Sequence, residues 1–129
     1  MKIHRLIHGS TAAMILASAA ALSTSALAAE GDVGPVLLES VGVLEVAGGG
    51  YPAGSMEIKI RGGFTVPNGV ACDNSYITTL KSTDASQRMF TLLTIAQVKG
   101  KPVRLRITDD PALRAFSGRC SLMWVGLDS

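Results

Sequence analysis

Ser82-Thr83-Asp84-Ala85-Ser86-Gln87-Arg88-Met89-Phe90-Thr91-Leu92-Leu93-Thr94-Ile95-Ala96-Gln97-Val98-Lys99-Gly100-Lys101-Pro102-Val103-Arg104-Leu105-Arg106-Ile107-Thr108 decides the fold, because the hydrophobic period changes inside it. Met89, Leu92, Leu93 and Ala96 recur at helical spacing, and Ala85 extends the stripe toward the N-terminus. Ser82, Thr83 and Asp84 offer N-cap side chains, and Asp84 with Gln87 has the form of a capping box. Lys99 in the last turn, Gly100 just past it and Pro102 beyond supply a stop. The pattern predicts a helix over about 84–98. From Val103 the period falls to two: Val103, Leu105 and Ile107 alternate with Arg104, Arg106 and Thr108, an amphipathic strand.

Upstream of the helix the chain reads as strands. Ser75 to Leu80 carries Tyr76, Ile77 and two threonines, a β-branched run. Before it, Met56, Ile58 and Ile60 alternate with Glu57, Lys59 and Arg61 until Gly62-Gly63 ends or bends the strand. A β-rich stretch from Val36 to Val46 is broken by Gly48-Gly49-Gly50-Tyr51-Pro52. Downstream, Asp109-Asp110-Pro111 turns the chain, 112–119 is a loop or short helical turn, and Ser121 to Leu127 forms a last strand apolar on both faces. Three strands, a helix and two strands is the order of a five-stranded OB-fold-like barrel, mainly β with one helix. A small α+β sandwich with the same order is the alternative.

The N-terminal end reads differently. Lys2 and Arg5 form a positive region, Ala12 to Leu22 an apolar one, and Ala26-Leu27-Ala28 a small-residue cleavage signal. Residues 1–28 are therefore expected to be a cleaved signal peptide. Residues 29–35 would be a flexible lead and 36–129 a single domain. Cleavage leaves 101 of the 129 residues, enough for one domain. It removes both histidines, His4 and His8, and with them histidine-based catalysis and metal binding. It also removes two of the 12 basic residues, leaving ten against ten acidic ones. A neutral chain gives no electrostatic case for nucleic acid. No later apolar run reaches the length of a membrane span. A secreted or periplasmic location follows.

In an exported chain the two cysteines, Cys72 and Cys120, read as one disulfide. A closed loop of about 48 residues stabilises by about 4 kcal/mol in the chain-entropy account. A redox or metal role lacks both a C-x-x-C motif and a partner ligand.

Little else carries chemistry. The adjacent carboxylates Asp109-Asp110 precede a proline and read as a turn, not an acid/base pair. No nucleophile elbow, phosphate loop or dinucleotide fingerprint occurs. No metal ligands, cofactor-binding residues or catalytic residues are expected. Lys59, Arg61, Arg104 and Arg106 lie on polar strand faces; they form either a basic stripe for an anionic ligand or a solvated outer face. Tyr51, beside the glycine run, is a further candidate ligand contact, whereas Phe90 and Trp124 read as core or subunit-interface residues. Leu122, Met123, Trp124, Val125 and Leu127 cannot all face one core, which points to an interface between copies.

The run Met89 to Arg106, taken with Cys72 and Cys120-Ser121, resembles small secreted bacterial proteins similar to the subtilase cytotoxin B subunit. In that group a helix closing on a Gly-Lys turn feeds a strand, and a cysteine precedes the final apolar strand. The resemblance covers roughly residues 70–127. It implies an OB-fold, a pentameric ring and glycan binding without catalysis. The expected function is an exported non-catalytic binding module with a glycan or protein partner. The competing expectation is an inhibitor of a secreted protease or cell-wall hydrolase, with the Gly48–Pro52 and Asp109–Arg119 loops as contacts.

Overall fold

The computed structural model describes residues 27–128, so the expected signal peptide lies almost wholly outside the described residues. The described residues form six strands and one helix: β1 (Glu30–Val36), β2 (Leu38–Leu44), β3 (Ser55–Ile60), β4 (Asp73–Thr79), α1 (Arg88–Lys99), β5 (Val103–Thr108) and β6 (Arg119–Leu127). A single 3-10 turn, Pro111–Leu113, lies between the last two strands. The class is mainly β with one helix.

All six strands belong to one mixed sheet in the order β1-β5-β6-β4-β3-β2. Every ladder is antiparallel except β4 with β6, which run parallel. The two ends of that order, β1 and β2, are separated in the chain by Leu37 alone. The sheet therefore curls until its edges are successive halves of one segment.

Here the structure corrects the sequence reading. Six strands stand where five were expected, and the 29–35 lead is a strand rather than a mobile tail. Glu30 to Val33 pair with Thr108 to Leu105, and the register then slips so that Val36 faces Val103. The slip falls on Gly34-Pro35. Proline has no N–H for a ladder, and a sheet edge is where that loss is tolerated. Composition marked these residues as polar and glycine-bearing; the partner strand that orders them lies more than 70 residues away.

Alternation decides which face is inside. On β5, Val103, Leu105 and Ile107 are buried while Arg104 and Arg106 are exposed; on β3, Met56, Ile58 and Ile60 are buried. Ile77, Leu122 and Val125 add the neighbouring strands, and Leu93 and Ala96 of α1 complete the core. Met89, Phe90 and Leu92 pack at its margin. Fully burying a Leu or Ile side chain contributes about 1.5–3 kcal/mol, so this interior dominates the stability. The Cys72–Cys120 disulfide joins the segment before β4 to β6, with Cα atoms 5.2 Å apart and Cys120 fully buried.

The helix starts at Arg88, four residues later than the pattern predicted. Gln87 takes a left-handed conformation at φ 56° and makes no side-chain cap. Asp84 reaches past it, its carboxylate accepting from the N–H groups of Met89 at 3.1 Å and Phe90 at 2.9 Å. The capping acid is as expected, but it acts across a turn. Gly100 closes the helix at φ 60°, with the N–H of Lys101 donating to Ala96 O at 2.9 Å. Among the described residues no helix is long and apolar enough to cross a membrane.

Candidate functional site

The polar outer face of β1, β5 and β6 carries a groove of about 410 Å³ lined by Asp32, Val33, Gly34, Arg104, Leu105, Arg106 and Trp124. Ladder register explains the grouping. Asp32 faces Arg106 across β1–β5, and Arg106 faces Trp124 across β5–β6, so three side chains form one row. The β6 register slips between Leu122 and Trp124. That slip lets Leu122 and Val125 both turn inward while Trp124 turns out. Trp124 keeps 52 % of its surface exposed. Its ring folds over Gly126, where a Cβ would lie only 2.8 Å from Cζ2. A glycine there leaves room for the indole in this position.

Electrostatics tie the row together. Arg106 donates from Nε to Asp32 Oδ1 at 2.8 Å and from Nη2 to Oδ2 at 3.1 Å. This two-pronged bond holds the Asp32 carboxyl below its usual range and raises the Arg106 guanidinium. Arg104 donates from Nε to Asp128 Oδ1 at 3.1 Å. A guanidinium has five N–H donors, more than one carboxylate occupies, so both arginines retain donors for a ligand. A half-exposed aromatic face flanked by donors and a carboxylate, in a recess of this size, suits a small polar ligand with one apolar face.

The basic stripe does not form. Lys59 and Arg61 belong to β3 and its following turn, whereas Arg104 and Arg106 belong to β5, with β6 and β4 between them. Lys59 is bonded to Glu39 at 2.9 Å, which raises its pKa. Arg61 stands exposed in the turn, away from the groove.

Tyr51 lies elsewhere on the outer face, in a second cluster. Its ring meets Phe116 with centroids 4.5 Å apart, and its hydroxyl donates to Glu57 Oε2 at 2.6 Å. Arg119 donates from Nη1 to the same oxygen at 3.0 Å. The Arg119 guanidinium also sits 4.4 Å from the Phe116 centroid, 4.5 Å from Tyr76 and 5.4 Å from Tyr51. Burial lowers its pKa. One cation thus gathers the 48–52 loop, the 109–118 loop and the surfaces of β3 and β4. Ser121 Oγ donates to Leu113 O at 2.8 Å and pins the second loop further. Because Arg119 already occupies the centre of these rings, the cluster is a brace rather than an open cage.

Trp124 was expected in the core or an interface; of the cluster around Arg119 the sequence singled out Tyr51, as a ligand contact, and neither Arg119 nor Phe116. The contacts of Arg119 with Tyr76, Glu57 and Tyr51 join residues 43 to 68 positions apart, which no local pattern signals. The odd parity of β6, apolar at too many consecutive positions, was the one legible hint of an outward tryptophan. Among the described residues no group of three His, Cys, Asp or Glu side chains could hold a metal ion. Compared with known proteins, the chain matches no family model, no curated protein sequence and no solved structure.

Proposed function

We propose that this chain is an exported, non-catalytic binding module built on an OB-like barrel, and that it recognises glycans through the Trp124 groove. The observation that carries the reading is the half-exposed indole that covers Gly126 beside Arg104, Arg106 and Asp32. A sugar ring offers an apolar C–H face for the indole and hydroxyls for the guanidinium and carboxylate groups. The barrel is supported by the strand order, whose ends meet at Leu37, by the parallel β4–β6 pair and by the helix lying between β4 and β5. Export is supported by the charged, apolar and small-residue pattern of residues 1–28 and by the disulfide. The likeness of residues 70–127 to B-subunit-type proteins points the same way and adds a pentameric ring.

Glycan-array binding by the oxidised, leader-free chain tests the reading, with Trp124→Ala as its control. Binding that disappears in the variant supports it; silence across a broad array at high protein concentration overturns it. Native mass by light scattering tests the ring: a value near five subunits supports it, and a monomer removes it. A copy-to-copy contact across Trp124 and Leu127, also half-exposed, is the competing use of this face.

The enzyme-inhibitor reading keeps one specific support, the Arg119 brace. Loops stiffened in advance lose little entropy on docking to a protein. Recovery of a stoichiometric secreted hydrolase on the immobilised protein, lost on Phe116→Ala, would favour it over the glycan reading.

A further inference from the structure

We infer that Asp109 is a built receptor for the α-ammonium group created at Ala29 when the leader is removed. The inference rests on the export reading above. Ala26-Leu27-Ala28 places the scissile bond between Ala28 and Ala29. Ala28 and Leu27 are exposed, Leu27 at 96 %, whereas Ala29 is drawn in against the core. The change from exposed to packed falls on the bond to be cut.

Ala29 is held at both of its backbone groups. Its nitrogen donates to Asp109 Oδ1 at 2.8 Å. Its carbonyl accepts from Thr108 Oγ1 at 2.8 Å and from the Asp109 N–H at 3.2 Å. The second carboxylate oxygen accepts from Ala71 N at 2.8 Å, which fixes the carboxylate's orientation from the far side. Asp109 is thus oriented before the cut, and these two amides hold its carboxyl below the usual range.

Hydrolysis of the Ala28–Ala29 bond consumes one water. Ala28 leaves as a carboxylate, and the nitrogen of Ala29 becomes an amine that is mostly protonated at neutral pH. The amide donor facing Asp109 becomes a cation without moving. The hydrogen bond already made to the carboxylate becomes an ion pair with both partners charged. Three other charged groups stand near: Glu30, next in the chain, acts in the same direction as Asp109; Arg114, which donates to Asp109 O at 3.0 Å, opposes it; Asp110 is committed to Ala112 N at 2.9 Å. Cutting the leader thereby tightens β1, the strand that follows, onto β5.

The test uses chain exported from cells with its own leader. Its intact mass locates the cut, and the α-amine is then titrated by NMR. The inference predicts a start at Ala29 and an α-amine pKa about one unit above the ordinary 7.7–8.0 in the folded chain, returning to that range in Asp109→Asn. A raised pKa stabilises the fold below the ordinary value, and that gain fades as pH rises through the folded value. If Asp109→Asn does not fold, Nα-acetylation of the wild-type chain replaces it and lowers the folding constant on the order of tenfold. A correctly cut, folded chain whose α-amine titrates normally overturns the receptor and leaves export standing. Export with a cut elsewhere does the same. A full-length chain retained inside the cell overturns both.

Discussion

Gln87 spends conformational energy at the start of α1. An L-residue at φ 56° crowds its Cβ against its own backbone, at a cost of roughly 1–2 kcal/mol that glycine does not meet. Gln87→Gly should therefore raise stability by about 1 kcal/mol in urea unfolding. Asp84 tells the opposite story: it satisfies two first-turn donors, so Asp84→Ala should lose about 1 kcal/mol in the same assay. The sequence named Asp84 as a cap but paired it with the wrong geometry, because an acid followed by Gln at the third place reads as a box. The left-handed kink at Gln87, which moves the true start to Arg88, has no signature in residue type. Arg106 was legible as an outward position from alternation, and Tyr51 as a loop residue beside the glycine run. Which other side chains they meet was not.

At the scale of elements, the two loops on the outer face act as one unit because Tyr51, Phe116 and Arg119 interlock. A double-mutant cycle on Tyr51→Ala and Phe116→Ala should give a coupling of about 0.5–1.5 kcal/mol, read from the unfolding midpoints of the four chains. Additive losses would mean the loops are held separately. The inward apolar positions of β3 and β5 were legible from alternation, but Thr108, read as an outward position, is buried where the β5–β6 register slips. Strand β1 was not legible, because its glycines and proline mimic a linker and its order comes from a distant partner. The expected basic stripe failed for a related reason. Alternation assigns a residue to a face but says nothing of which strand lies next to which.

For the whole molecule, the curled sheet brings chain positions far apart into one surface, and the disulfide fixes how β4 and β6 begin. Closing about 48 residues should stabilise the oxidised chain by about 4 kcal/mol, measured as the difference in unfolding free energy with and without reductant. A domain of this size has about 5–15 kcal/mol in total, so reduction should leave it marginal. Element order, composition and cysteine count made the class and the cross-link legible; the groove was not, because it needs three strands and a slipped register at once. That groove is the centre of the account, and Trp124 is the only tryptophan in the chain. Its fluorescence, titrated with glycans on the folded, oxidised protein, therefore reports on this one surface. A saturable change in emission with a glycan, abolished by Arg106→Ala while the fold is retained, is the predicted result. Glycan binding detected by calorimetry with no change in Trp124 emission, or no binding across the panel, would contradict it.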